Sequence, residues 1–437
     1  MSLIWKGDFA GLPGKVVLAN PMVCANTAKG DNKLYSDAKG VVPSLDLRFA
    51  SQKNLNDYMT GQNLITFSRP VGANQSPGTY VDENGIIQLS SADTPRFDHD
   101  PTTGESLGLL IEGSRTNFIA NSTDLTGWES LIAGDGVLPI ATNVTDTAPD
   151  GSTSVTKVTL SRATASTSNY SIYRDLATHT NTLTVGTLYI KAFSANDVGK
   201  IVDVYNNQGS NQDFKTVTLT NEWQRIDSAG TVSTTSSYLT VALYNANVST
   251  GTVNMLIWGA QVEAGAFPTS YIPTSGTALT RNADVASITG SNFSSWYNQS
   301  EGTVFVKGAT NDIDGNTGWV SFYQASSPNN NRISVRQVPT IITSAGTSIT
   351  LSAFSNPTPK EIQKISTAYK NDDFALYSTY STPVFLSTGL VPVSVDTVLL
   401  GGVESTGGAF NLNGTISRLT YFPYRLPDSS LQTMTTP

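Results

Sequence analysis

Apolar and polar side chains alternate along KIVDVYNN, so that Val202 and Val204 fall on one face and Asp203 and Tyr205 on the other. SYLTVALYN repeats the pattern, with Leu239, Val241 and Leu243 opposing Tyr238, Thr240 and Tyr244. A period of two predicts strands with one core face and one face that carries tyrosines. From about residue 118 to 285, short segments of this kind alternate with turn clusters such as ASTSN, NNQGSNQD and SAGTVSTTSS. That rhythm predicts an antiparallel β-sandwich. In it, Trp258 is expected to share a buried face with Leu256 and Ala260. A second series over 286–437, with GTVFVKG, WVSFYQ, RISVRQ, ISTAYKN, FALYST and ISRLTYFP, predicts a second sandwich. It ends in a short helix, LPDSSLQTMT, in which Asp428 is the expected N-cap and Leu431 and Met434 face the sheet.

Upstream the periodicity is weaker. Residues 1–60 read as an irregular arm in which Trp5, Phe9, Leu12, Val16, Val17, Leu18, Met22 and Val23 lie among glycines and prolines. Such side chains have apolar area to bury and no periodic element with which to bury it, which predicts docking on a partner surface or another copy. Residues 61–117 read as a β-rich connector whose clearest element is TYVDENGIIQLS, a hairpin turning at Asn84-Gly85. The expected fold class is all-β: an N-terminal arm and β-hairpin connector followed by two antiparallel sandwiches at 118–285 and 286–437.

Composition narrows the function. At ~150 residues per domain, 437 residues suffice for about three domains without disulfides. Charged residues make up 14% of the chain against a typical ~25%, which suits sheets better than long solvated helices. A net charge of −8 repels phosphate backbones and argues against nucleic acid as a partner. No apolar run reaches the ~18–20 residues that would predict membrane insertion. One cysteine, Cys24, and two histidines, His99 and His179, leave little material for zinc or thiol chemistry.

Sugar recognition needs flat apolar rings for C–H faces and amides for hydroxyls. Tyr205, Asn206, Asn207, Tyr238, Tyr244 and Asn245 supply both, and are the candidate carbohydrate-binding residues; the competing reading is that the tyrosines pack under a neighbouring loop or subunit. Asn311-Asp312-Ile313-Asp314-Gly315-Asn316 places oxygen ligands at alternate positions, so Asp312, Asp314 and Asn316 are the candidate Ca2+ ligands. The loop lacks a glutamate at its twelfth position, and a plain turn is the alternative. No other cofactor is expected. Asp98, His99 and Asp100 read as a turn fixed by Asp–His hydrogen bonding. No pair of carboxylates and no nucleophile elbow can be nominated, so no enzymatic activity is expected.

Two segments, FDHDPTTGESLGLLIEGSRTNFIANS (97–122) and IWGAQVEAGAFPTSYIPT (257–274), resemble paired signatures of tailed-bacteriophage structural proteins. In that family they bracket a carbohydrate-binding-like jelly roll, and EGTVFVKG through LNGTISRLTYFPYRLPDSSLQTM resembles the concanavalin A/laminin G-like domain that follows. The resemblance implies a non-enzymatic virion fibre or spike, on head or tail, that binds host surface polysaccharide for adsorption. It also implies a homotrimer, assembled in the host cytoplasm and exposed on the particle, and the unburied apolar residues of the arm make the arm the expected attachment to other virion proteins. A structural decoration or adaptor protein without glycan binding is the alternative.

Overall fold

The computed structural model describes residues 33–175, 183–207, 213–230, 238–312, 317–337, 340–352, 358–403 and 411–436. It is almost wholly antiparallel β. The only parallel pairing among the described residues is a two-residue register of Gln75–Ser76 against Leu279–Arg281.

One sandwich joins two five-stranded sheets. The first runs Gly136–Thr145, Ser154–Arg162, Gly251–Ala264, Thr184–Ala192, Gln224–Gly230; the second runs Lys215–Thr218, Ile201–Asn207, Tyr238–Leu243, Tyr170–Arg174, Glu129–Ala133. Val202, Val204, Leu239, Val241 and Leu243 enter the core between them, as the alternation predicts. Trp258 keeps the face of Leu256, but Ala260 departs from it. The partners Tyr189↔Trp258 and Thr187↔Gln261 leave one extra residue on the long strand, a bulge at Gly259 with φ +65°. Trp258 therefore stays with Leu256 and Tyr271 in a side cluster, while Ala260 turns into the main core.

The second sandwich pairs an eight-stranded with a seven-stranded sheet, and its strand pairing crosses the boundaries drawn from sequence. In the larger sheet Gly414–Phe422 is flanked on one side by Glu301–Thr310 and on the other by Ser106–Ile111 and Leu45–Leu47. In the smaller sheet Thr66–Ser68 pairs with Val285–Thr289. Leu45, Leu47, Phe49, Leu55, Leu64, Ile65, Leu109 and Ile111 share one core with Trp319, Phe322, Leu419 and Tyr421. Residues 45–111, expected as arm and connector, thus bury most of their large apolar side chains in their own chain, and the jelly-roll sandwich is inserted between two halves of the other. The sequence hid this because Leu45–Leu47, Thr66–Ser68 and Ser106–Ile111 are short strands whose partners in the later sheets lie hundreds of residues away.

Two local expectations hold in outline. Thr79–Val81 and Ile87–Leu89 form the hairpin, closed through Gly85 at φ +79°, where a Cβ would meet the Pro101 carbonyl at 2.6 Å. The last helix, Asp428–Thr435, buries Leu431 and Met434 against the eight-stranded sheet. Asp428 is its first helical residue and Pro427 occupies the cap; the aspartate pairs with Arg425 at 2.6 Å.

Candidate functional site

The outward face of the sheet containing Tyr238–Leu243 follows directly from the alternation. Tyr205 lies opposite Thr240, Asp203 opposite Ala242 and Thr216, and Ile172 opposite Ala242. Small residues on the central strand let the flanking rings converge above it. Tyr205 and Phe214 sit 4.4 Å apart between centroids, Phe214 and Tyr244 lie parallel at 5.8 Å, and Tyr170 meets Tyr244 at 5.8 Å. Tyr205 is only 3% exposed and its hydroxyl is pushed upward in pKa by burial, so it is the floor of the cluster. Tyr170, Phe214 and Tyr244 remain half-buried and form its outer surface. Packing therefore accounts for Tyr205, while Tyr170 and Tyr244 keep accessible ring surface.

The other candidates separate. Tyr238 lies at the edge of the face, covered by the Arg174 guanidinium at 4.1 Å, which Glu129 holds at 2.9 Å. Asn206 departs from the expected cluster. One residue from Tyr205, it points between the sheets, where its amide donates to Thr184 Oγ1 at 3.0 Å. Asn245 donates its backbone N–H to Asp203 at 3.0 Å. The side chain of Asn207, like Asp314, Asn316, His179 and Cys24, lies outside the described residues. Asp312 has its N–H bonded to Thr310 Oγ1 and its carbonyl accepting from Thr317. No group of three His, Cys, Asp or Glu side chains suited to a metal occurs among the described residues.

Two contributors escaped the sequence reading. Asp203, fully buried among these rings, has its pKa raised by burial against the hydrogen bonds from Asn245 and Thr216. Arg162, also buried, donates to the carbonyls of Ser166, Asn169, Tyr244, Asn245, Val248 and Ser249. It thereby ties the turn preceding Tyr170 to the loop that begins at Tyr244, and fixes those two of the three outer rings relative to each other. The signal was an arginine at the end of its strand on the same inward alternation as Val158 and Leu160.

The two signature segments meet elsewhere, at the neck between the sandwiches. Ser270 donates its N–H and Oγ–H to Glu112, each at 2.7 Å, and Asn117 reaches the carbonyls of Ala260 and Ile272. Around them lies a buried charge cluster. Asp284 receives Arg69 at 2.7 Å and Arg96 at 2.5 Å; Glu112 receives Arg96 at 2.9 Å and faces Arg281 at 3.6 Å. Burial alone would raise the Glu112 carboxyl, but Arg281, Arg96 and the Ser270 bonds hold it at about 2.

Asp98 and His99 border this neck, the Asp98 carboxylate accepting the His99 backbone N–H while the imidazole turns away from it. Both bond Val81, Asp98 accepting its N–H at 2.7 Å and His99 Nδ1 meeting its carbonyl at 2.9 Å, while Asp100 alone caps the Thr102–Thr103 turn. The expected Asp–His turn is replaced by strand pairing, since Arg96–His99 is a strand. Burial pushes the Asp98 carboxyl up to about 6.

No protein-family model matches the chain, and no curated protein matches it. Among solved structures, the carbohydrate-binding module CBM40 of Ruminococcus gnavus IT-sialidase, bound to α2,3-sialyllactose, is 15% identical with a TM-score of 0.28, covering 32% of this chain and 84% of that one. The family 11 carbohydrate-binding module from Clostridium thermocellum gives 11% and 0.26, over 36% and 98% of the two chains. Domains LG4-5 of the mouse laminin α1 chain give 12% and 0.24, over 59% and 89%. At these TM-scores the likeness carries no argument about function. The sheets themselves establish the class: an all-β chain of two antiparallel sandwiches, one inserted in the other.

Proposed function

We propose that the chain is a non-enzymatic glycan-binding protein whose site is the outer aromatic face of the inserted sandwich. One observation carries this reading: Tyr170, Phe214 and Tyr244 form a half-buried surface of rings on a face whose floor, Tyr205, is already packed. A mutually supported ring surface loses little rotamer freedom when a sugar's C–H face stacks on it. The neighbouring carboxylates support a binding role over hydrolysis, because Asp203 lies buried among the rings and Glu129 is paired to Arg174.

The biological setting in this proposal is an appendage of a bacteriophage particle, exposed on the virion and contacting host surface polysaccharide as a trimer. Its support is the resemblance carried by residues 97–122 and 257–274. The test is isothermal titration of host lipopolysaccharide and capsule oligosaccharides against the purified chain and a Tyr170→Ala/Tyr244→Ala variant. Binding by the parent and its loss in the folded variant is expected. Equal binding by both overturns the site, and no binding by either overturns the glycan reading in favour of a structural virion component. Immunogold labelling of particles tests the setting, and an unlabelled virion overturns it.

A further inference from the structure

The loop after the short helix Phe49–Gln52 is rich in amides yet firmly held. Leu55 is buried in the core. The buried Asp57 carboxylate accepts four hydrogen bonds, from Asp46 N at 2.9 Å and Met59 N at 3.2 Å on Oδ1, and from Thr60 N at 3.0 Å and Thr60 Oγ1 at 2.8 Å on Oδ2. Its lone pairs are occupied, so it serves as scaffold. The Tyr58 ring is fixed by the Arg48 guanidinium, 3.5 Å from its centroid, and Arg48 is held by Asp46 at 2.6 Å. Lys53, in the left-handed region at φ 49°, pairs with Glu83 of the hairpin turn.

Beside this scaffold opens a depression of about 400 Å3, lined by Gln52, Asn54, Asn56, Asp57, Tyr58 and Gly61. Its size falls within the ~300–1,000 Å3 of small-molecule sites. The Asn54 amide is used locally, bonding the Gln52 carbonyl and the Asn56 N–H. The half-buried carboxamides of Gln52 and Asn56 make no hydrogen bond among the described residues. A Cβ at Gly61 would meet nothing within 4 Å, so the mouth is open.

We propose that this depression is a second saccharide site, on the outer sandwich, for a neutral hexose unit. The lining has no aliphatic side chain to receive a lipid, no cation to receive an anion and no unsatisfied carboxylate to receive a metal. What it offers is neutral donors and acceptors beside a fixed phenol ring, the complement of a hydroxyl-bearing ring. Because the loop is already ordered, little conformational entropy opposes binding.

The test keeps this site apart from the aromatic face. In the full chain carrying Tyr170→Ala/Tyr244→Ala, saturation-transfer NMR is run with methyl glucoside, methyl galactoside, methyl mannoside and galacturonate. The expected result is saturable binding of at least one neutral glycoside, weakened at least tenfold when Gln52→Ala/Asn56→Ala is added, with an unchanged melting temperature. Absence of saturable binding, binding indifferent to the amide changes, or preference for galacturonate overturns the proposal. None of these outcomes bears on the aromatic face, which that background has already removed.

Discussion

The neck and the aromatic face both concentrate unusual side chains, but they bury them to opposite effect. At the neck three arginines and two carboxylates are removed from water where the chain passes between sandwiches, at the ends of the strands that enter and leave each one. Every carboxylate there is oriented by at least two partners, so removing one group strands the others in a low-dielectric site. On the aromatic face the rings share dispersion contacts, no single partner is obligatory, and the outer rings stay accessible. Conspicuous sequence thus marks two different things. The signature segments encode how two domains are joined, whereas plain segments around Tyr170, Phe214 and Tyr244 encode the rings that stay accessible.

The contrast breaks most sharply at Asp284. Asp284→Ala should cost about 3–5 kcal/mol in urea unfolding, because Arg69 and Arg96 lose their shared acceptor. A loss below 1 kcal/mol would make the neck no more demanding than the surface. Within the aromatic face, Tyr205→Ala should cost about 3 kcal/mol as a buried ring, while Tyr244→Ala should cost less than half as much. Equal costs would remove the distinction between floor and outer surface. Arg162→Met should destabilise by about 2 kcal/mol through unsatisfied carbonyls and weaken glycan binding as much as Tyr244→Ala does. Binding that survives this change would show that the rings do not need the tether.

The smallest effect is a pH dependence. The Asp98 carboxyl is raised to about 6 in the folded chain, above its unfolded value, so folding favours its protonated form. Its contribution to stability is greatest below the unfolded pKa, near 4, and is lost as pH rises through about 6. Asp98→Asn removes that loss, so the melting temperature of the variant relative to the parent should rise by a few degrees between pH 4 and pH 7. A constant difference would refute it. Glu112 acts in the reverse sense, its contribution being present above the ordinary glutamate range and lost as pH falls toward about 2.

By itself the sequence determined the class of structure and the faces of its regular strands, because a period of two in Val202–Tyr205 and Tyr238–Tyr244 is a local property that backbone geometry converts directly into inside and outside. It also determined the hairpin at Gly85 and the buried face of the last helix, which depend on neighbours only a few residues away. Tertiary structure alone decided that Leu45–Leu47 belongs beside Gly414–Phe422 and that Tyr205 is covered while Tyr244 is not. It alone also gathered Arg69, Arg96, Glu112, Arg281 and Asp284 into one cluster. Each of these rests on contacts between segments tens to hundreds of residues apart, and a strand of three residues has too few positions to name its partner. The charged residues gave the same ambiguity, since a lone arginine in a sequence looks alike whether it ends in water or between two carboxylates.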